Sequence, residues 1–97
     1  MKKIEWTYRA KNELEQTYNF WLEHNLSVTY SEKVLDETLK AVNLIAKNPE
    51  IGREDKNLRL RRFLLLEYFS QVYRVEKDKI RIVSFFDNRR RPQSKEL

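Results

Sequence analysis

Residues 80–92 read IRIVSFFDNRRRP and join an apolar strand to an arginine cluster. Ile80, Ile82, Ser84 and Phe86 alternate with Arg81, Val83 and Phe85, which is typical of a strand. Three adjacent arginines cannot all turn into a core, so we expect several guanidinium groups to project from a rigid strand end. Guanidinium binds phosphate and carboxylate in a bidentate way. The plainer interpretation is a solvated basic tail, because charge runs usually face water.

Two more strands are predicted just before this one. Residues 58–66 alternate, with Arg59 and Arg61 on the face opposite Leu58 and Leu60. Residues 67–76 form the next strand, and residues 77–79 form a hairpin turn. Both faces of the last strands are rich in apolar residues. We therefore expect helices to cover one face of the sheet and the other face to be partly closed.

The N-terminal half predicts a short strand and two helices. Residues 3–6 alternate as a strand does, and Thr7 is a plausible N-cap. The first helix should end near residues 24–25, and its apolar stripe is Ala10, Leu14, Tyr18, Trp21 and Leu22. Ser27 should cap the second helix and Pro49 should stop it. The apolar positions of that helix are Tyr30, Val34, Leu35, Leu39, Val42, Ile45 and Ala46. Residues 49–57 are predicted as a loop that carries the only glycine, Gly52.

Length and charge indicate one basic domain spanning residues 1–97. Lysine and arginine number 20 against 15 acidic residues, a net charge of +5. Such a balance favours anionic partners: nucleic acid, an acidic protein segment or, less readily, a membrane surface. The chain has no cysteine and no apolar run long enough for a membrane span, so we expect a cytoplasmic protein without disulfides.

The residue inventory excludes several kinds of chemistry. His24 is the only histidine, and at the end of a helix its charge suits the helix dipole better than it suits catalysis. One histidine without cysteine cannot build a zinc site, and we expect no metal and no cofactor. Interleaved basic and aromatic residues remain, a combination that suits RNA. The alternative to RNA binding is that the aromatic residues belong to the core and the arginines to a solvated surface. We favour this structural interpretation for Tyr73 and Phe86, and we favour the functional one for Arg59, Arg61 and Arg89.

The order strand, helix hairpin and three-stranded meander resembles the RelE/ParE superfamily of type II toxin–antitoxin toxins. The resemblance is carried by Trp6, Ala10 and Leu14, by Pro49 to Gly52, by Leu60 to Phe63, by Tyr73-Arg74-Val75 and by Phe86 to Pro92. It implies an α+β fold of order β-α-α-β-β-β, with an antiparallel helix hairpin on a small, mostly antiparallel sheet. It also implies an acidic antitoxin partner, which we expect to bring carboxylates to Arg59, Arg61 and Arg89.

The superfamily contains two activities. RelE-like members cleave messenger RNA on the ribosome without a metal, whereas ParE-like members inhibit DNA gyrase. Arg89 matches the arginine that follows the last strand of the nucleases, and Arg59 and Arg61 match basic residues of an earlier strand. Ser70 stands where those nucleases place an arginine, and Lys95 is the nearest proton donor after the last strand. A remnant that only binds its antitoxin is a third possibility.

We favour messenger RNA cleavage on the ribosome, with gyrase inhibition as the alternative. In a nuclease, Arg61 and Arg89 would stabilise charge on the phosphate, Glu67 or Asp87 would be the general base, and Lys95 would supply a proton. The residues expected to bind a substrate or partner are Arg59, Arg62, Arg74, Arg81, Arg90, Arg91, Tyr68 and Phe85.

Overall fold

The structure, a computed structural model, describes residues 2–25 and 28–90. Its elements are β1 (Lys3–Trp6), α1 (Tyr8–Asn25), α2 (Val28–Lys47), β2 (Arg53–Asp55), β3 (Leu60–Leu65), β4 (Phe69–Val75) and β5 (Lys79–Asp87). A short 3₁₀ turn, Asn88–Arg90, follows β5. The strands form one sheet in the order β1-β5-β4-β3-β2. The β1–β5 pair is parallel, and the other pairs are antiparallel.

The α+β architecture predicted from the sequence is confirmed, with one added strand. Residues 49–57 were expected to be a loop, but β2 lies within them and pairs with β3. The three residues of β2 are all charged and exposed, so no apolar alternation marks it in the sequence. The strand predicted over 58–66 is shorter in the structure, because Arg59 and Leu66 adopt positive φ angles of 58° and 50°.

The helices begin and end close to the predicted positions. The amide of Ala10 donates a hydrogen bond of 3.1 Å to Thr7 Oγ1, which confirms Thr7 as the N-cap of α1. Helix α2 ends at Lys47, two residues before Pro49. The expected cap Ser27 lies outside the described residues. No helix in the described part of the chain is long and apolar enough to cross a membrane.

The buried face of α2 differs from the predicted apolar stripe. Leu39 was assigned to that stripe but is 51% exposed, whereas Ser31 and Thr38 are fully buried. Ser31 Oγ donates to the carbonyl of Tyr18 across the helix pair at 2.9 Å, and Thr38 Oγ1 donates to Val34 O within the helix. Short hydroxyl side chains that satisfy their own hydrogen bonds can occupy a tightly packed interface.

Two apolar clusters fill the space between the helices and the sheet. One joins Ala10 and Ile45 to Tyr73, Ile80 and Ile82, and the other joins Val34 and Ala41 to Leu65, Phe69 and Phe85. A third cluster consists only of strand residues: Leu60, Val72 and Phe86, with Val83 against them. The third cluster therefore lies on the sheet face opposite the helices, which we call the open face.

Glu13 of α1 holds the far end of β5 in place. Strand β1 pairs with β5 only from Lys79 to Ile82, so the later amides of β5 have no strand partner on that side. Glu13 Oε1 accepts hydrogen bonds from the amide of Phe85 at 3.0 Å and from Ser84 Oγ at 2.8 Å. A helix carboxylate thus replaces the missing strand and orients the chain that leads to the arginine cluster.

Candidate functional site

Arg89 folds back onto the end of β5 instead of projecting freely. Its Nε and Nη2 atoms donate to the two carboxylate oxygens of Asp87 at 3.0 and 2.9 Å. The amide of Arg89 also donates to Asp87 Oδ1 at 2.9 Å. The side chain of Asp87 is 1% exposed and that of Arg89 is 40% exposed, so the pair spans the boundary between core and solvent.

Aromatic rings surround the Arg89 guanidinium. Its central carbon lies 4.0 Å from the ring centre of Tyr68, 5.1 Å from that of Trp21 and 5.7 Å from that of Phe69. These distances are those of cation–π contacts. The hydrogen bonds that Arg89 donates to Asp87 raise the pKa of Arg89, partial burial opposes that shift, and a hydrogen bond with Tyr30 adds to it. Arg89 is therefore held as a fixed cation.

The two acids proposed as general bases are in different settings. The Asp87 carboxylate faces the helices, because its partner in the sheet is the buried Phe69, and Arg89 occupies both of its oxygens. Glu67 is exposed in the turn between β3 and β4, with a φ angle of 70°. Their roles in catalysis stay predictions.

Arg61 is bound into the loop that precedes β2. Its Nη1 atom donates to the carbonyl oxygens of Gly52 at 2.8 Å and Glu50 at 3.1 Å. The Tyr73 hydroxyl holds the same loop: it donates to Pro49 O at 2.7 Å and accepts from the amide of Gly52 at 2.8 Å. Burial raises the pKa of Tyr73, and the Gly52 amide and the charge of Arg61 partly offset that rise. These contacts join the Pro-x-x-Gly and Tyr-Arg-Val segments physically.

The structure does not bring Arg61 and Arg89 together. In the β3–β4 ladder, Arg61 lies opposite Tyr73 and Leu65 lies opposite Phe69. Phe69 lies opposite Asp87 in the β4–β5 ladder, so Asp87 is level with Leu65, four residues further along β3 than Arg61. Four residues of strand span roughly 13 Å. Arg89 lies beyond Asp87, near the end of α1, and Arg61 lies near β2 at the opposite end of β3. A phosphate bound by one guanidinium is therefore out of reach of the other.

The remaining candidates occupy several surfaces. Arg62 and Arg74 are exposed on the open face, and Arg59 is exposed in the turn before β3. Arg81 binds Glu5 at 2.9 Å and Glu76 at 3.1 Å, and the Glu76 hydrogen bond raises the pKa of Arg81. Tyr68 is 41% exposed beneath Arg89, but Phe85 is fully buried.

Phe85 corrects an expectation from the sequence. It was expected to contact a substrate or partner, yet its ring stacks on Phe69 at 5.8 Å inside the core. Alternation cannot show which face of a strand is buried when both faces are apolar. Arg91 and Lys95 lie outside the described residues, as does the side chain of Arg90.

Three residues around these sites were not among the predicted ones. Trp21 and Tyr30 reach Arg89 from the two helices, and Arg53 pairs with Arg62 across the β2–β3 ladder. Trp21 and Tyr30 looked like ordinary core positions, and Arg53 lay in a predicted loop. Within the described residues, no group of three or more histidines or acids could hold a metal ion.

Comparison with known proteins gives consistent matches. A family described as the ParE toxin of the type II toxin–antitoxin system, parDE, matches residues 4–92. A solved chromosomal ParDE toxin–antitoxin system from P. aeruginosa superposes with a TM-score of 0.75 at 21% identity, covering 90% of this chain and 96% of that one.

A second solved structure has a weaker likeness. A conserved hypothetical protein from Helicobacter pylori superposes with a TM-score of 0.53 at 12% identity, covering 92% of this chain and 97% of that one. At such identities both likenesses concern the fold alone. None of the curated proteins compared with the sequence matches it significantly.

Proposed function

Because the chain belongs to the ParE toxin family of type II toxin–antitoxin systems, we propose that it is a toxin that inhibits DNA gyrase by binding, and that an antitoxin neutralises it. The observation that carries this proposal is the family match over residues 4–92. The preference for messenger RNA cleavage rested on the interleaved basic and aromatic residues and on the match of Arg59, Arg61 and Arg89 to basic residues of RelE-like nucleases. The match to ParE favours the gyrase alternative, because gyrase inhibition is the activity that the resemblance implies for ParE-like members.

The positions of the arginines support the same choice. Cleavage of RNA without a metal needs preorganised cations that converge on one phosphate. Arg61 instead binds two backbone carbonyls, and Arg89 binds Asp87. The register of the strands places these arginines at opposite ends of β3. A toxin that acts by binding needs no such convergence, and a gyrase target implies action in the cytoplasm.

Expression in bacteria tests the proposal. Induction of this chain alone should arrest growth, break chromosomal DNA and induce the DNA damage response, while messenger RNA stays intact. Co-expression of the antitoxin encoded beside its gene should restore growth, which controls for nonspecific toxicity. New message ends without DNA breaks would overturn the gyrase proposal in favour of RNA cleavage. Normal growth at a verified level of folded protein would indicate that the chain is a remnant that binds its antitoxin but has no toxic activity.

A further inference from the structure

Four arginines cross the open face of the sheet in neighbouring positions. Arg53 is directly opposite Arg62 in the β2–β3 pair, and Arg74 is directly opposite Arg81 in the β4–β5 pair. Arg62 is opposite Val72, which places it diagonal to Arg74. Side-chain alternation puts Arg62 on the face of Leu60, and Arg74 on the face of Val72, both members of the open-face cluster.

This arrangement opposes the stability of the sheet. Like charges directly opposite each other on neighbouring strands are destabilising, and the register creates two such pairs. Arg81 is neutralised within the fold by Glu5 and Glu76. Arg53, Arg62 and Arg74 are exposed and form no ion pair with any described residue. We call these three residues the arginine diagonal. Arg74 contributes to the lowered pKa of Glu76, but Arg81 already binds that carboxylate, so the diagonal keeps an excess of positive charge.

An apolar side chain adjoins the arginine diagonal. Leu64 follows Arg62 on the same face of β3 and is 53% exposed. A surface that offers guanidinium groups next to an exposed leucine suits a protein segment carrying both acidic and apolar side chains. A nucleic acid backbone would match the positive charges but would offer no apolar contact to Leu64, because protein–nucleic acid interfaces are more polar than protein–protein interfaces.

We propose that the arginine diagonal, with Leu64, is the docking surface for an acidic segment of the antitoxin. This inference rests on the proposed toxin function, which supplies the partner. Antitoxin carboxylates were first expected at Arg59, Arg61 and Arg89, but Arg61 and Arg89 already have internal partners. Binding on the arginine diagonal would neutralise its excess positive charge, and it would relieve the repulsion between opposed arginines.

The experiment measures the rate at which the antitoxin associates with the full chain, at low salt and at 0.5 M salt. Replacement of all three members of the diagonal by glutamine should lower the low-salt rate by about tenfold or more, because complementary charge accelerates encounter. The matched control replaces Lys11, Lys33 and Lys47, exposed helix residues, by glutamine. This control removes the same net charge from the helices and should lower the association rate much less.

Thermal unfolding separates binding from folding. The diagonal variant should melt at or above the wild-type temperature, because it relieves like-charge pairs. If the triple variant does not fold, the three single variants replace it, and each is expected to lower the low-salt association rate more than a single lysine control does.

Three results would overturn the proposal: an unchanged association rate, an equal loss in the lysine control, or diagonal-dependent binding of a 20-base-pair DNA duplex with unaltered antitoxin binding. Gyrase inhibition by the free toxin is measured without antitoxin. A failure of the docking surface is therefore distinguishable from a failure of the proposed function.

Discussion

Arg89 donates hydrogen bonds to both carboxylate oxygens of Asp87, and that carboxylate is almost completely buried. The strand-end arginine was expected to reach outward to a phosphate. It instead closes the end of the core, covered by Tyr68 and Trp21. Arg89 is therefore tied to the stability of the fold, whereas Arg53, Arg62 and Arg74 on the open face form no ion pair with any described residue.

Replacement of Arg89 by alanine should destabilise the protein by about 2 kcal/mol. Removing one partner of a fully buried ion pair costs roughly 3–5 kcal/mol, and partial exposure of Arg89 reduces this. Chemical denaturation measures the change. Arg62→Ala is the matched control and should stay within about 0.5 kcal/mol, because Arg62 is exposed. Equal stability of the two variants would contradict a structural role for the Arg89–Asp87 pair.

Gly52 should not tolerate alanine. A Cβ atom there would lie 2.7 Å from the Tyr73 hydroxyl oxygen and 2.8 Å from Tyr73 Cε1. The backbone of Gly52 is outside the left-handed region, so the expected loss of about 1–3 kcal/mol is steric. In a Tyr73→Phe background the loss should shrink but persist, because the Cε1 contact remains. An identical loss in both backgrounds would rule out the Tyr73 hydroxyl as the obstacle.

Stability should fall in alkaline solution partly through Tyr73. Burial raises the pKa of Tyr73 above its ordinary value of 10.0. The unfolded chain therefore loses this phenolic proton first, and the folded state is progressively disfavoured as the pH rises above about 10. The slope from one such group is at most about 1.4 kcal/mol per pH unit. Unfolding free energies of wild type and Tyr73→Phe between pH 9 and pH 11 should converge; parallel curves would contradict this.

Gln71 should be replaceable with a gain in stability. Its side chain is fully buried in β4, and neither its amide nitrogen nor its oxygen has a hydrogen-bond partner among the described residues. Gln71→Met keeps a similar volume and removes the cost of burying an unsatisfied amide, a gain of about 1–2 kcal/mol. Thr38→Val is the control, because the Thr38 hydroxyl is satisfied by Val34 O. Denaturation midpoints should rise for the first variant only.

The elements that the sequence predicted have strong local signals. Thr7 precedes an amphipathic helix, Pro49 follows one, and the alternation before Asp87 marks β5. Strand β2 has no such signal, because its three residues are charged and exposed, and only pairing with β3 makes them a strand.

The candidate site was harder to predict, because it depends on register. Nothing local shows that Asp87 faces the helices, or that Arg61 lies beside the carbonyls of Gly52 and Glu50. The same holds for the arginine diagonal. Arg53, Arg62 and Arg74 are well separated in the sequence and become neighbours only through two strand ladders.

A supercoiling assay with purified DNA gyrase tests directly whether this chain inhibits gyrase. The purified chain is added to gyrase and relaxed plasmid, and in parallel to ribosomes translating a defined message. We predict loss of supercoiling with accumulation of broken plasmid, reversal by the antitoxin, and an uncut message. Normal supercoiling together with cleavage of the message on ribosomes would contradict gyrase inhibition and show a ribonuclease.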